Sequence, residues 1–251
     1  FDLVIVLSEE SLRERANAFS YADHSVLATG KWYKIGTDKD GIYKLTYNDL
    51  QSFGMDVQAL DPRNIRIYGN GGGMLAETLS DNRPDDLLEN PIFVSGENDG
   101  KFDPGDYILF YGESPHRWVY DAVKGHFNHR QHIYSDLTAY FITSDLGPGR
   151  RVAVAPSVTD PATVTIASFT DHAYHERDLF NLINAGRVWF GEVFDIKTTF
   201  DTTFIFPDIL TGEQGYIKAY VAARAGSSSY FRIYHGSSQI LSCPLTATSS
   251  T

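Results

Sequence analysis

An acidic stretch around a glycine is the first place where this sequence could do chemistry. Calcium prefers carboxylate and carbonyl oxygens as ligands, and several such side chains fall close together here. The candidate ligands of a structural calcium ion are Glu97, Asp99, Asp103 and Asp106. The stretch departs from an EF-hand loop, because Ser95 takes the first ligand position and an aspartate the twelfth. The alternative is a hairpin turn whose carboxylates accept hydrogen bonds from backbone N–H groups.

A cysteine nucleophile would need a neighbouring imidazole to become a thiolate. Cys243 is the single cysteine of the chain, and His235 precedes it within the same segment. Cys243 ends a strand-like run before Pro244, which favours an inert thiol. A single cysteine also excludes an internal disulfide and any metal site built from several cysteines. We therefore assign no catalytic residue.

Two further patterns resemble ligand sites but have simpler explanations. His126, His129 and His132 recur at every third position, as zinc ligands on a helix would, yet their polar surroundings indicate an exposed loop. The run 69–73 follows a strand and is rich in glycine. It lacks the Lys-Ser/Thr pair of a phosphate-binding loop, so we predict a tight turn that uses positive φ angles.

Carboxylate pairs and aromatic side chains suggest an enzymatic and a binding alternative. The pairs are Asp85 with Asp86, and Glu192 with Asp195. Such pairs could hydrolyse glycosidic bonds, although a solvated loop explains the first pair more simply. Trp118, Trp189 and the many tyrosines could stack on sugar rings. A carbohydrate- or protein-binding β-sandwich module is therefore an alternative function.

Composition narrows the class of protein. The 251 residues include 15 Tyr, 16 Phe and 21 Gly, which favours strands separated by turns. The 32 acidic residues exceed the 21 basic ones and give a net charge of −11. Because phosphate recognition needs a basic surface, nucleic acid is a poor partner. The sequence contains no apolar run long enough for a direct membrane span, and no intact signal peptide.

The elements that must position these residues are mainly β-strands. We predict a β-rich fold, mainly antiparallel with a few short helices, in two β domains. Residues 1–155 form an N-terminal β-rich domain, and residues 156–251 a β-sandwich-like domain that is truncated at its C-terminal end. Prolines interrupt the strand pattern near the boundary.

Local signals predict particular elements within these domains. Residues 31–45 resemble a β-hairpin around an Asp-Gly turn, and a capping box of Thr46 and Asp49 begins a short helix over 47–53. Residues 107–111 are continuously apolar or aromatic, which is typical of a strand covered on both faces. Other predicted elements are strands at 3–7, 188–194, 200–206, 216–221, 230–234 and 239–241, and a helix at 178–185.

Several longer motifs resemble one known family. They are WYKIG at 32–36, DGIYKL at 40–45, NIRIYGNGGGM at 64–74, RPDDL at 83–87, FVSGENDGKFD at 93–103 with GDY at 105–107, and HERDLFN at 175–181 with GRVWFGE at 186–192. They are similar to the N-terminal region of the PorU family, the gingipain-like cysteine peptidases, or sortases, of the type IX secretion system in Bacteroidetes. The resemblance covers about residues 28–250.

The resemblance implies a function for the parent protein. Members of this family cleave the C-terminal secretion signal of cargo proteins and attach the cargo to lipopolysaccharide. They are exported with a cleaved signal peptide to the extracellular face of the outer membrane, where a PorV-like β-barrel partner holds them. The family's catalytic His and Cys lie further along the chain, and nothing in this sequence matches their motif. The resemblance therefore implies a non-catalytic N-terminal region.

Overall fold

The computed structural model describes most of the chain, namely residues 21–78, 81, 83–155, 157, 161, 163–182, 184 and 186–248. The strand predicted at 3–7 lies outside the described residues. Among the described residues, no helix is long and apolar enough to cross a membrane.

The secondary structure is mainly antiparallel β, as predicted. The strands are β1 (Tyr33–Thr37), β2 (Gly41–Thr46), β3 (Arg66–Tyr68), β4 (Glu89–Asn90), β5 (Phe93–Ser95), β6 (Tyr107–Gly112), β7 (Arg117–Asp121), β8 (His126–Arg130), β9 (Thr138–Thr143), β10 (Ser229–His235) and β11 (Ser238–Leu245). One α-helix, α1 (Tyr47–Ser52), is found in the described part of the chain, and 3-10 turns occur at Val26–Ala28, Pro62–Asn64 and Glu97–Asp99.

Internal contacts divide the chain into two units. The first consists of Phe1–Val119 and His129–Pro161, and the second of Tyr120–Asn128 and Ala162–Thr251.

The first unit contains two sheets with strand orders β1-β9-β3-β4 and β2-β6-β5. Their inner faces contribute to one apolar core. Ile67 and Ile142 come from the first sheet and Ile108 from the second, and all three are fully buried. Phe110 meets Tyr140 edge-on across this core, with ring centroids 5.3 Å apart. The first unit is therefore a two-layer β-sandwich.

The hairpin predicted over residues 31–45 is not formed. Strands β1 and β2 are consecutive in the chain, but β1 pairs with β9 and β2 with β6, so they belong to different sheets. The turn between them is tied to the second sheet, because the Ser114 N–H donates to Asp40 Oδ1 over 2.8 Å. Two short strands around an Asp-Gly turn fit a hairpin or an arch between sheets equally well. The partners β6 and β9, which lie far away in sequence, decided the outcome.

The predicted capping box is confirmed. The Thr46 side chain accepts the Asp49 N–H, and the Asp49 side chain accepts the Thr46 N–H over 2.8 Å. Helix α1 ends at Ser52, close to the predicted end, and Gly54 follows with φ of +89°. Leu50 is fully buried and packs the helix against the core.

Within the second unit, β10 and β11 form an antiparallel two-stranded sheet. The strands predicted at 230–234 and 239–241 are therefore confirmed. The strands predicted at 188–194, 200–206 and 216–221 and the helix predicted at 178–185 are not formed among the described residues of these segments. An alternating or apolar pattern favours an extended segment, but a strand also needs a hydrogen-bonded neighbour.

Candidate functional site

The acidic turn proposed for calcium is held by protein groups. Glu97 Oε2 accepts the Arg151 Nε–H over 2.7 Å, and Asp99 Oδ1 accepts the Lys101 N–H over 3.0 Å. Asp106 Oδ2 accepts the Asp103 N–H over 2.8 Å. The Arg151 guanidinium also donates to the backbone carbonyls of residues 62, 63 and 65, so it ties this turn to the start of β3.

Gly96 is required for this turn to close. Its φ is +84°, and a Cβ atom there would lie 1.8 Å from Asp106 Oδ1. Among the residues that the structure describes, no group of three or more His, Cys, Asp or Glu could hold a metal ion. Calcium binding by Glu97, Asp99, Asp103 and Asp106 stays a prediction, and it requires the carboxylates of Glu97, Asp99 and Asp106 to exchange their protein partners. Its signature would be a higher melting temperature in millimolar calcium than in EDTA.

The glycine-rich run forms the predicted turn, and a carboxylate from the protein occupies it. Gly71 and Gly73 have φ of +74° and +84°. The Gly72 N–H donates to Glu113 Oε2 over 3.0 Å, and Arg117 pairs with the same carboxylate while donating to the Gly72 carbonyl. An anion is thus already bound where a phosphate would lie. The turn interpretation is confirmed, and the phosphate alternative is wrong for this run.

No pattern in the sequence indicates the residues that hold Glu113 in place. The Thr37 hydroxyl donates to the Glu113 carbonyl over 2.8 Å, and the Glu113 N–H donates to the Tyr140 hydroxyl oxygen over 2.9 Å. Burial raises the pKa of Tyr140, so its hydroxyl stays protonated near neutral pH. These residues are distant in sequence and share no motif. Only the strand pairing brings them together.

Two clefts flank β1, and both share Lys34, Ile35 and Gly36 in their walls. The larger cleft, of about 530 Å³, also contains His132 and Ser135. These two do not form a nucleophile–base pair. His132 Nδ1 accepts the N–H groups of Tyr134 and Ser135, and the Ser135 hydroxyl donates to the Leu137 carbonyl over 2.7 Å.

The three histidines do not form the zinc site considered from their spacing. They lie on and after strand β8, so the polar segment expected to be a loop is a strand. His126 stacks on Tyr216 with centroids 4.0 Å apart, whereas His129 packs against Trp118 at 4.8 Å. A period of three places neighbours on one face of a helix, but successive side chains of a strand alternate between faces.

His235 and Cys243 are separated along the same hairpin. His235 pairs with Ser238 beside the turn, whereas Cys243 pairs with Phe231, four residues away from His235 on β10. At a rise of about 3.3 Å per residue, the two are roughly 13 Å apart along the ladder. The imidazole of His235 therefore does not activate the Cys243 thiol.

The carboxylate pairs have structural partners. Asp85 Oδ2 accepts the Ala22 N–H over 2.8 Å, and Asp86 accepts the Ser25 hydroxyl and the Val26 N–H. These bonds hold the pKa of Asp86 below its ordinary range, the bond from Val26 being the largest cause. Asp85 and Asp86 thus anchor the segment before β1.

In the second pair, Glu192 likewise has a structural partner, because it forms a hydrogen bond with His175. His175 Nε2 lies 2.8 Å from Glu192 Oε1, and this hydrogen bond is the main reason why the pKa of Glu192 is lowered. A general acid for sugar hydrolysis needs a raised pKa. Phe180 and Phe190 exchange backbone hydrogen bonds of 2.8 and 2.9 Å beside this pair. The two halves of the motif at 175–181 and 186–192 therefore contact each other.

Comparison with family models and with curated proteins finds no match. Among solved structures, the chain is similar to the crystal structure of dimeric latent PorU from Porphyromonas gingivalis, with 30% sequence identity and a TM-score of 0.52. The similarity covers 74% of this chain and 16% of that chain. The resemblance inferred from the motifs is thereby confirmed, and the chain carries a PorU-like region.

Proposed function

We propose that this chain is the non-catalytic N-terminal region of a type IX secretion system surface peptidase. The parent protein cleaves the C-terminal secretion signal of cargo and attaches the cargo to lipopolysaccharide. The region works at the extracellular face of the outer membrane, where it contacts the PorV-like β-barrel partner or cargo for the parent protein. The proposal rests on the similarity to PorU, of which this chain spans 16%.

The placement of the polar residues supports a scaffolding role. The glycine-rich run is filled by Glu113, and His235 lies away from Cys243 along their hairpin. Carboxylates such as Glu97 and Asp86 hold turns and segments of the fold. These are contacts that stabilise a β-sandwich rather than position a nucleophile and a base.

The first test asks where the peptidase activity lies. The isolated chain is expected to leave a cargo peptide uncleaved over the time in which the parent protein consumes it. In the parent, Cys243→Ser is expected to retain full activity, and substitution of the cysteine in the downstream peptidase domain should abolish it. Cleavage by the purified chain, or a large loss with Cys243→Ser at normal protein levels, would refute the proposal.

A second test asks whether the region is needed. Cells whose parent protein lacks the whole region, residues 1–251, are expected to process less cargo than cells with the complete protein, at matched surface levels. Normal processing and normal association with the barrel partner would remove any necessary role for the region.

Sugar binding is the alternative function, and it is favoured by one observation: the Trp189 side chain remains 46% exposed. Stacking on a sugar ring requires an aromatic face that is open to the ligand. Binding of a glycan array by the isolated chain, lost in Trp189→Ala and retained in Trp32→Ala, would support it. Trp32 is the matched control because its ring already packs edge-on against Tyr68 at 5.4 Å.

A further inference from the structure

The outward face of sheet β2-β6-β5 is unusually apolar. Between β2 and β6 the register pairs Ile42 with Tyr111, Lys44 with Leu109 and Thr46 with Tyr107. Between β6 and β5 it pairs Leu109 with Phe93 and Tyr107 with Ser95. Paired residues share a face of a sheet, and the alternate set, which includes Ile108 and Phe110, is buried in the core. The first set therefore points away from the core. We call it the outer aromatic face.

This face departs from what an exposed antiparallel sheet requires. Such a sheet normally alternates apolar residues inside with polar residues outside. Here Ile42, Tyr111 and Phe93 are 68%, 54% and 46% exposed. The continuous apolar run of β6 predicted a strand covered on both faces, yet the described residues of the first unit cover only one. Aromatic residues that remain on a surface in this way are enriched at protein interfaces.

The other sheet of the same unit shows what a covered face looks like. Trp32 packs edge-on against the buried Tyr68 on its outward side. On the same side, the Arg66 guanidinium donates to the carbonyls of residues 146, 147 and 148. The first unit thus closes one outward face with its own loops, and its described residues leave the outer aromatic face open.

Charge on this face indicates the chemistry of an occupant. Lys44 is exposed and is the single charged side chain among the outward residues of β2, β5 and β6. Its Nζ lies 4.3 Å from the centre of the Tyr107 ring. The face is therefore cationic and aromatic in a chain whose net charge is −11. A partner with an apolar surface and a carboxylate opposite Lys44 complements it.

The size and charge of the face disfavour a second copy of this chain. Three strands about 4.8 Å apart and five residues of about 3.4 Å rise give a footprint of roughly 250 Å². A stable dimer buries about 800 Å² on each partner. A twofold contact through this face would also bring Lys44 towards its own copy, which is repulsive. One helix, about 10 Å wide, fits the face better.

We propose that the outer aromatic face docks a single amphipathic element, one helix wide, of a separate protein partner. The partner's apolar side chains cover Ile42, Tyr111 and Phe93, and one of its carboxylates pairs with Lys44. The inference deepens the proposed function, on which it rests, by naming the surface through which the region contacts a partner protein.

Hydroxyl-radical footprinting of aromatic side chains tests this assignment. The full-length protein is oxidised on intact cells, and again after purification, with a detergent-solubilised outer-membrane fraction titrated back. We expect Phe93, Tyr107 and Tyr111 to be protected on cells and in the titration. Tyr134, which is 76% exposed and lies outside the face, serves as the internal control and should stay reactive.

Matched variants locate the interaction. Lys44→Glu and Tyr111→Ser are expected to shift the midpoint of the titration on the order of tenfold, as substitutions at the centre of an interface do. Leu137→Ser removes an equally exposed side chain, at 54%, from outside the face and should leave the midpoint unchanged. An equal shift with all three variants, or none with the first two, would overturn the assignment.

Other occupants give different patterns, and each contradicts the proposal. Protection of the purified protein that grows with its concentration would identify a second copy. Protection at high dilution that disappears when residues 1–20 are removed would identify this chain's own segment. Absence of protection on cells would mean that the face stays open. Cargo processing is measured separately, so loss of the docking site is distinguishable from failure of the proposed function.

Discussion

At the scale of single residues, one close approach decides how the glycine-rich run is used. A Cβ atom on Gly72 would lie 1.7 Å from the backbone carbonyl oxygen of Ser114. Because this oxygen belongs to the backbone, it cannot move aside as the end of a flexible side chain could. The absence of a side chain at Gly72 therefore allows the run to pack against the segment after β6, where its N–H reaches Glu113.

We expect Gly72→Ala to lower the free energy of unfolding by about 1–3 kcal/mol, the usual effect of forcing extra volume into a packed site. Gly41→Ala is the matched control, because a Cβ atom there meets no atom within 4 Å. That control should change stability by less than about 0.5 kcal/mol. Urea unfolding of both variants measures the difference, and equal effects would contradict the role given to the close approach.

Asp86 makes the free energy of unfolding depend on pH in the acidic range. Its folded-state pKa lies below that of the unfolded chain, so the stability it contributes is complete above about pH 4 and is lost as the pH falls through the folded value. Asp86→Asn is expected to destabilise the chain by about 1 kcal/mol at pH 7. The difference from the unsubstituted chain should shrink at pH 3, as measured by denaturant unfolding at each pH. A difference that grows in acid would be inconsistent with this sign.

At the scale of elements, helix α1 depends on its first turn. It has six residues, from Tyr47 to Ser52, too few to be stable by propensity alone. Thr46 and Asp49 satisfy backbone donors that the helix leaves open, and Leu50 attaches the helix to the core. The capping residues and the buried leucine together hold this element.

Thr46→Ala and Asp49→Ala are each expected to cost about 1 kcal/mol of stability, because each removes a partner from the same capping box. The double variant should cost less than the sum, since the two side chains act on each other. Ser52→Ala, at the other end of the helix, is the control and should be nearly neutral. Additive effects in this double-mutant cycle would show that the two residues act independently.

At the scale of the whole molecule, the two units differ in how their backbones are held. In the first unit, β3, β6 and β9 each have a hydrogen-bonded strand on both sides, and their core residues are buried. In the second unit, residues 200–217 contain no strand, and Ile205 among them is 85% exposed. Backbone amides should open at very different free energies in these places.

Hydrogen exchange followed by mass spectrometry measures this contrast. Amides of β6 and β9 are expected to exchange on the order of a thousandfold more slowly than those of residues 200–217, because they open only with large-scale unfolding. Amides of β10 and β11, which pair only with each other among the described strands, should be intermediate. Similar protection throughout would show that the second unit is as firmly held as the first.

Features that depend on near neighbours in sequence were determined by the sequence itself. The capping box of Thr46 and Asp49, the glycine turn at 69–73 and the strand at 230–234 follow from local backbone preferences and short-range hydrogen bonds. The PorU-like motifs belong to the same category, because a run of residue types can be recognised without its fold. The β-rich class likewise follows from aromatic and glycine content.

The tertiary structure alone decided which strands pair and which polar groups meet. Strands β1 and β2 carry the signature of a hairpin, yet they pair with β9 and β6. Glu113 meets Gly72 and Tyr140 only because distant strands bring them together. Pairing of strands far apart in the chain depends on which hydrogen-bonding edges and apolar faces are free to combine. That is a property of the assembled sheets and not of any one segment.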